Sequence, residues 1–182
     1  MNLIRYATIQ GEKYPINTDF KVAIECDRVI NDPDVDDFER GIAVVTLLFG
    51  DAPYCEEALK KSSIFLSGGE QEENNQKRLI DFNQHWDLIY STFKGQYGID
   101  LHKEDMHYQE FIMLLKGVKN TALSDVIDIL SRNPAEEKDY KSRKALIEAQ
   151  NKLKIKEKKQ APKNSAFLNA LAPEVKGGVI DG

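Results

Sequence analysis

Apolar residues recur at spacings of three and four along most of this chain, and at a spacing of two only at its start. Ile4, Tyr6 and Thr8 alternate, Gly11 offers a turn, and Tyr14 and Ile16 alternate again, which predicts a β-hairpin over the first 16 residues. Two strands alone are marginally stable, so the hairpin is expected to lie on a helical body. Thr18 is a candidate cap for a first helix to about Ile30, with Val22, Cys26, Val29 and Ile30 near one face, broken by Pro33. Asp36 or Asp37 opens a second helix through Phe38, Ile42, Val45 and Phe49, closed by Gly50. Ala43, Val44, Leu47 and Leu48 are apolar too, and a helix apolar nearly all round is expected at the centre. Pro53 suits the first turn of a third helix, whose face is Cys55, Ala58, Leu59, Ser62, Phe65 and Leu66 and which stops at Gly68-Gly69.

After a polar stretch at 70–75, Leu79, Phe82, Trp86, Ile89, Phe93 and Tyr97 form one helical stripe that holds the single Trp of the chain. The spacing predicts a helix from about Gln76 to Tyr97, ended by Gly98, with Phe82, Trp86, Ile89 and Phe93 buried. Tyr108, Phe111, Ile112 and Leu115 mark a fifth helix, stopped near Gly117. Leu123, Val126, Ile127 and Leu130 mark a sixth, stopped before Pro134. From Ala135 the pattern thins to a weak stripe of Leu146, Ala149 and Leu153, then a Lys-rich run to Pro162. Residues 163–182 read as disordered, with Phe167, Leu168 and Leu171 spaced as a short amphipathic turn. The expected architecture is therefore mainly α. A compact multi-helix domain with a small N-terminal β-hairpin spans 1–133, a basic helical extension 134–160 and a flexible tail 161–182.

Charge sharpens that division. Residues 1–134 carry 14 Lys and Arg against 23 Asp and Glu, while residues 135–163 carry 10 against 5. An acidic body with a basic extension is a division that needs an explanation. The extension could meet phosphates, but only Tyr140 could stack on a base, acids are interleaved, and the acidic body repels nucleic acid. Nucleic acid is thus not the expected partner; a solvated helix and linker explains the lysines best, with electrostatic contact to an acidic protein partner as a further reading. The candidate partner-binding residues are Lys152, Lys154 and Lys156 in the run and Phe167, Leu168 and Leu171 in the tail. No apolar run approaches a membrane span, and Met1-Asn2-Leu3-Ile4-Arg5 lacks the form of a signal peptide, so a cytoplasmic protein without membrane contact is expected. Cys26 and Cys55 read as small buried hydrophobes.

Candidate chemistry is sparse. Asp32, Asp34 and Asp36 alternate like the start of a calcium loop, but Asp37 stands where glycine is needed and Ala43 where glutamate is needed. Acids at a helix N-terminus explain them better. His102, Glu104, Asp105, His107 and Glu110 cluster, with His107 and Glu110 three apart, yet a zinc site wants a third ligand and His85 could join only through the fold. A capping segment explains them better, with Asp100 or His102 near a helix start, acids in the first turn and His107 packed beside Tyr108. There is no phosphate loop and no nucleophile–base motif. The expectation is a protein that is not an enzyme and needs no metal or other cofactor.

One resemblance gives direction. Phe82, Trp86-Asp87, Ile89-Tyr90, Phe93, Tyr97-Gly98-Ile99-Asp100-Leu101, Met106-His107-Tyr108 and Phe111 resemble the bacteriophage gene-product-fifteen family. So do Tyr14-Pro15-Ile16-Asn17-Thr18-Asp19-Phe20 and Leu47-Leu48-Phe49-Gly50. The family belongs to long-tailed phages and prophages and is encoded just upstream of the tail tape measure protein. The resemblance implies a tail assembly chaperone in the host cytoplasm, bound to the tape measure protein and tail tube subunits and absent from the mature virion. The alternatives are a structural component of the mature tail and, further off, a small nucleic-acid-binding regulatory protein. The oligomeric state does not follow from the sequence.

Overall fold

In the computed structural model, residues 3–68 and 79–155 are described, and they fall into two compact units, one holding 3–68 and the other 79–155. The fold is mainly helical with one two-stranded antiparallel hairpin, as expected.

The first unit begins with β1 (Tyr6–Ile9) and β2 (Glu12–Pro15), paired from Tyr6 opposite Pro15 to Ile9 opposite Glu12. Gln10 (φ 51°) and Gly11 (φ 82°) are both left-handed, which a two-residue hairpin turn of matching twist requires. The buried face is Ala7 and Ile9, while Tyr6 and Thr8 are exposed. Alternation gives the period of a strand, and packing on a neighbour chooses the side. That neighbour is α3 (Glu56–Leu66), whose Glu57 accepts from the Gln10 N–H at 2.7 Å. α1 (Phe20–Ile30) is capped by Asp19 rather than Thr18 and buries Phe20, Ala23 and Cys26. α2 (Asp37–Phe49) starts at Asp36, whose carboxylate accepts from the N–H groups of Phe38 and Glu39, and ends at left-handed Gly50 (φ 62°). α1 and α3 both pack against α2, so it is central as expected. Its inner face is Arg40, Gly41, Val44, Val45, Leu48 and Phe49, whereas Phe38 and Ile42, expected on the inward stripe, face out. Pro53 lies ahead of α3 and Cys55 precedes its first residue, half-buried, so only Cys26 is a fully buried cysteine.

Arg40 accounts for the acidic connection between α1 and α2. It is 2 % exposed. Its guanidinium donates to the carbonyls of Val29 (3.2 Å), Asp32 (2.7 Å) and Val35 (2.6 Å) and to the Asp37 carboxylate (2.6 Å). A buried cation is tolerated where its donors are satisfied and a carboxylate balances its charge. The loop that resembles a calcium site thus curls around a cation.

The second unit opens with a turn held by Asp81, which accepts from the N–H groups of Asn83 (2.9 Å) and Gln84 (2.8 Å). α4 then runs only over Trp86–Thr92, so residues 79–85 are not part of the helix that the apolar spacing predicts, while the expected start at 76–78 lies outside the described residues. A π-helical turn, Phe93–Tyr97, follows and closes at left-handed Gly98 (φ 71°). α5 (Tyr108–Lys116), α6 (Ala122–Ser131), a 3₁₀ turn at Pro134–Glu136 and α7 (Tyr140–Leu153) complete the unit. Phe111 is the hub of its core. Phe93 stacks on it at 5.0 Å between ring centroids, Phe82 lies at 5.9 Å and Tyr108 at 6.5 Å. Ile89 and Phe93 are buried as predicted, whereas Phe82 and Trp86 are half-buried. The stretch read as an extension contains α7, which belongs to this unit, packs on α6 and buries Leu146.

Several helix ends share a device. The last carbonyls of a helix have no partner within it, and a left-handed glycine is one way to satisfy them. α1, α5, α6 and α7 end without a left-handed residue. Each instead receives a side chain from elsewhere. Arg40 donates to Val29 of α1, the Tyr97 hydroxyl to Leu114 of α5 (2.8 Å), and Gln150 to Ile129 (2.8 Å) and Arg132 (2.7 Å) at the end of α6. Gln84 donates to Lys154 (3.1 Å) at the end of α7, and His85 Nε2 lies 3.3 Å from the Leu153 carbonyl.

Candidate functional site

The surface feature that stands out is on the first unit. Phe38 is 61 % exposed, Ile42 38 % and Tyr54 40 %. Phe38 and Ile42 lie four apart on α2, so they form one row. The Tyr54 ring meets Phe38 edge-on at 5.2 Å between centroids and 81° between planes. It also lies against Gly41, where an added Cβ would come within 2.9 Å of the ring. Glycine at 41 therefore lets an aromatic from the α2–α3 connection fold over the helix and extend the apolar row sideways. Acids edge this face. Asp34, Asp36 and Glu39 are exposed, and Asp37 is half-exposed and paired to Arg40. The arrangement can offer apolar contact to a partner and attract positive charge around it. Sequence periodicity missed it because α2 is apolar nearly all round. The usable signals were Gly41 and the acids on both sides of Phe38.

The residues singled out by sequence are placed as follows. Lys152 and Lys154 are exposed at the end of α7. Lys156, Phe167, Leu168 and Leu171, and the tail read as disordered, lie outside the described residues. The three histidines do not come together as one site. His85 is buried, with Nδ1 accepting from the Asp81 N–H at 3.0 Å and Nε2 placed to donate to the Leu153 carbonyl, so it ties a turn to the end of α7. His102 is exposed, with its ring 4.7 Å from Tyr90 and 6.1 Å from Trp86. His107 is the N-cap of α5, its Nδ1 accepting from the Gln109 N–H at 3.1 Å. Among the described residues no group of three or more His, Cys, Asp or Glu is placed to hold a metal, and no helix is long and apolar enough to cross a membrane.

Two electrostatic details bear on reactivity. Burial, with Glu25 and Asp27 nearby, pushes the Cys26 thiol up to about 12. Asp100 accepts from Lys94 Nζ at 3.0 Å, and that bond leads the causes that hold its carboxyl below the ordinary aspartate value.

No curated protein and no solved structure matches this chain. A family match does exist, and it runs from residue 2 to residue 155, through both units and to the end of the described residues. It covers the aromatic hub, the Arg40 loop and the exposed α2 row, so the chain belongs to the family described as Bacteriophage Gp15 protein.

Proposed function

We propose that this protein is a tail assembly chaperone. It binds the tape measure protein, delivers tail tube subunits during assembly in the host cytoplasm, and leaves before the virion is complete. Membership of a phage family supports the reading, and the observation that carries it is the exposed row of Phe38, Ile42 and Tyr54. A tape measure protein is a long helical client whose apolar seams aggregate unless covered. An apolar row on a rigid helix can cover such a seam by helix-to-helix contact, and its acidic edge favours clients with lysine or arginine beside the seam. The exposed Lys152 and Lys154 suit a second, electrostatic contact with the tail tube protein. No reaction and no cofactor enters this reading.

The test is co-expression with the tape measure protein of the same phage. The soluble yield of that client should rise, and the two should purify as a complex that survives moderate salt. Phe38→Asp with Ile42→Asp should leave this protein folded, because both side chains are exposed, and should abolish the complex. Replacing Lys152 and Lys154 by glutamine should spare it and weaken a salt-sensitive contact with the tail tube protein. Purified virions should lack the protein by mass spectrometry. Presence at tail-subunit stoichiometry, with an insoluble tape measure protein, would replace this reading with that of a structural tail component.

A further inference from the structure

The second unit holds a pocket that none of the above uses. It has a volume of about 350 Å³ and is lined by Ser91, Thr92, Gly95, Gln96, Lys119, Asn120, Thr121 and Ala122. That size lies within the range of small-ligand sites. Its lining contains one cation and no acid, on a chain whose net charge is −5. We propose that it binds a phosphate group, either inorganic phosphate or the phosphate of a small phosphomonoester.

Four observations converge. First, one wall is the start of α6, a ten-residue helix. Its capping box uses the N–H groups of Thr121 and Ser124. Those of Ala122 and Leu123 have no partner among the described residues. Free N–H groups at a helix start attract oxyanions.

Second, Thr92 is only 4 % exposed and lines the pocket, yet its hydroxyl has no hydrogen-bond partner among the described residues. No fully buried side-chain oxygen among the described residues lacks a partner, so the Thr92 hydroxyl oxygen keeps some access to solvent at a residue that lines the pocket. A hydroxyl held at depth without a partner is a donor in waiting.

Third, Lys119 is exposed and has no ion-pair partner among the described residues. Its own N–H is turned to Gln96 Oε1 at 3.4 Å, which leaves the Gln96 amide nitrogen as a further donor. Asn120, held left-handed at φ 55°, adds another side-chain amide.

Fourth, the other wall runs into the π-helical turn, and an added Cβ at Gly95 would meet nothing within 4 Å. π-helical turns are rare and often mark functional sites. Gly95 lines the pocket, so a bulky residue there is the substitution expected to crowd it. Hydroxyl, ammonium, amide and backbone donors on two walls suit a tetrahedral oxyanion better than a carboxylate, which is saturated by fewer donors. Asp125, the acid in the first turn of α6, does not line the pocket.

The experiment is an amide NMR titration of the full chain with inorganic phosphate, glycerol phosphate and acetate, at one ionic strength held with sodium chloride. Saturable shifts at Gln96, Asn120, Ala122 and Leu123 are expected with millimolar or tighter phosphate. Tighter binding of glycerol phosphate would identify the phosphomonoester as the source, and equal or weaker binding inorganic phosphate. Thr92→Val and Lys119→Gln should each weaken binding about tenfold. Gly95→Leu should abolish it while the amide spectrum stays dispersed. If Gly95→Leu does not fold, Thr92→Val and Lys119→Gln decide. The proposal is overturned if no saturable shift occurs at these amides, if acetate matches phosphate, or if both those variants bind like the parent.

Discussion

The two units close their helix ends in different ways, and only the second clusters its aromatic rings around one hub. In the first, one cation gathers the loose ends, since Arg40 alone serves three carbonyls and a carboxylate. In the second the work is spread over Tyr97, Gln84, His85 and Gln150, each serving one helix end. The first unit buries Phe20, Phe49 and Phe65 but leaves Phe38 and Tyr54 outside, whereas the second gathers Phe82, Phe93 and Tyr108 around Phe111 and leaves Tyr140 exposed on α7. Concentrated polar order should make the first unit fragile at one residue. Distributed order should make the second tolerant of polar losses and sensitive to loss of its apolar hub.

Arg40→Ala tests the fragile point and should cost about 3–5 kcal/mol in a urea melt, because buried carbonyls and Asp37 lose their partner. Arg40→Lys should recover only part of that, since an ammonium lacks the planar fork. Phe111→Ala is the counterpart in the second unit and should cost about 3–5 kcal/mol. Trp86→Ala should cost less, about 1–2 kcal/mol, because Trp86 is half-buried beside His102. If Trp86→Ala matched Phe111→Ala, the hub would be wrongly placed.

Gln150→Ala should cost about 1–2 kcal/mol and Tyr97→Phe about 1 kcal/mol, the modest losses that distributed caps imply. A loss at either position as large as that of Arg40→Ala would erase the contrast. Thiol labelling gives a smaller but cleaner readout within the first unit. Cys55 should react with iodoacetamide in the folded protein. Cys26 should react only on unfolding, being buried and held protonated with a pKa of about 12.

The smallest expected effect is in acid. The folded Asp100 carboxyl titrates below the ordinary value of 3.8, chiefly through its bond from Lys94. Its stabilisation is therefore complete above 3.8 and is lost as pH falls through the lower, folded value. Lys94→Ala should make the acid midpoint less acidic by a small amount, since Lys94 is half-exposed and salt screens the pair. A parent and variant with the same acid midpoint in low salt would show that the pair does not stabilise the fold.

Helix stops, and the cap of α2, are the legible part of this sequence, whereas the cap of α1 falls one residue later than Thr18. Asp36, Gly50 and Gly98 stand where their chemistry says, because a cap depends on one residue and its local backbone. Faces were less legible. On α2, Phe38–Ile42 and Val44–Leu48 are both apolar rows, and the inward one is chosen by Arg40 and by Tyr54 closing over Gly41. The helix start before Trp86 was missed because the apolar spacing continues through Leu79 and Phe82, while the Asp81 side chain takes the next amides into a turn. Of the candidate site, the exposed lysines were readable as a solvated run. The α2 row was hidden by the same all-round apolarity that marked the helix as central, and the pocket at Thr92 depends on two segments about 30 residues apart.

The single buried residue of α7 carries a last consequence. With only Leu146 fully inside, this helix has the least apolar anchorage for its length, so it should open far below the free energy of global unfolding. It cannot open alone. Gln150 rides on α7 and closes the end of α6, so lifting one frees the last carbonyls of the other. In native-state hydrogen exchange, α7 and the final turn of α6 should therefore lose protection together, with a shared denaturant dependence, as one cooperative segment.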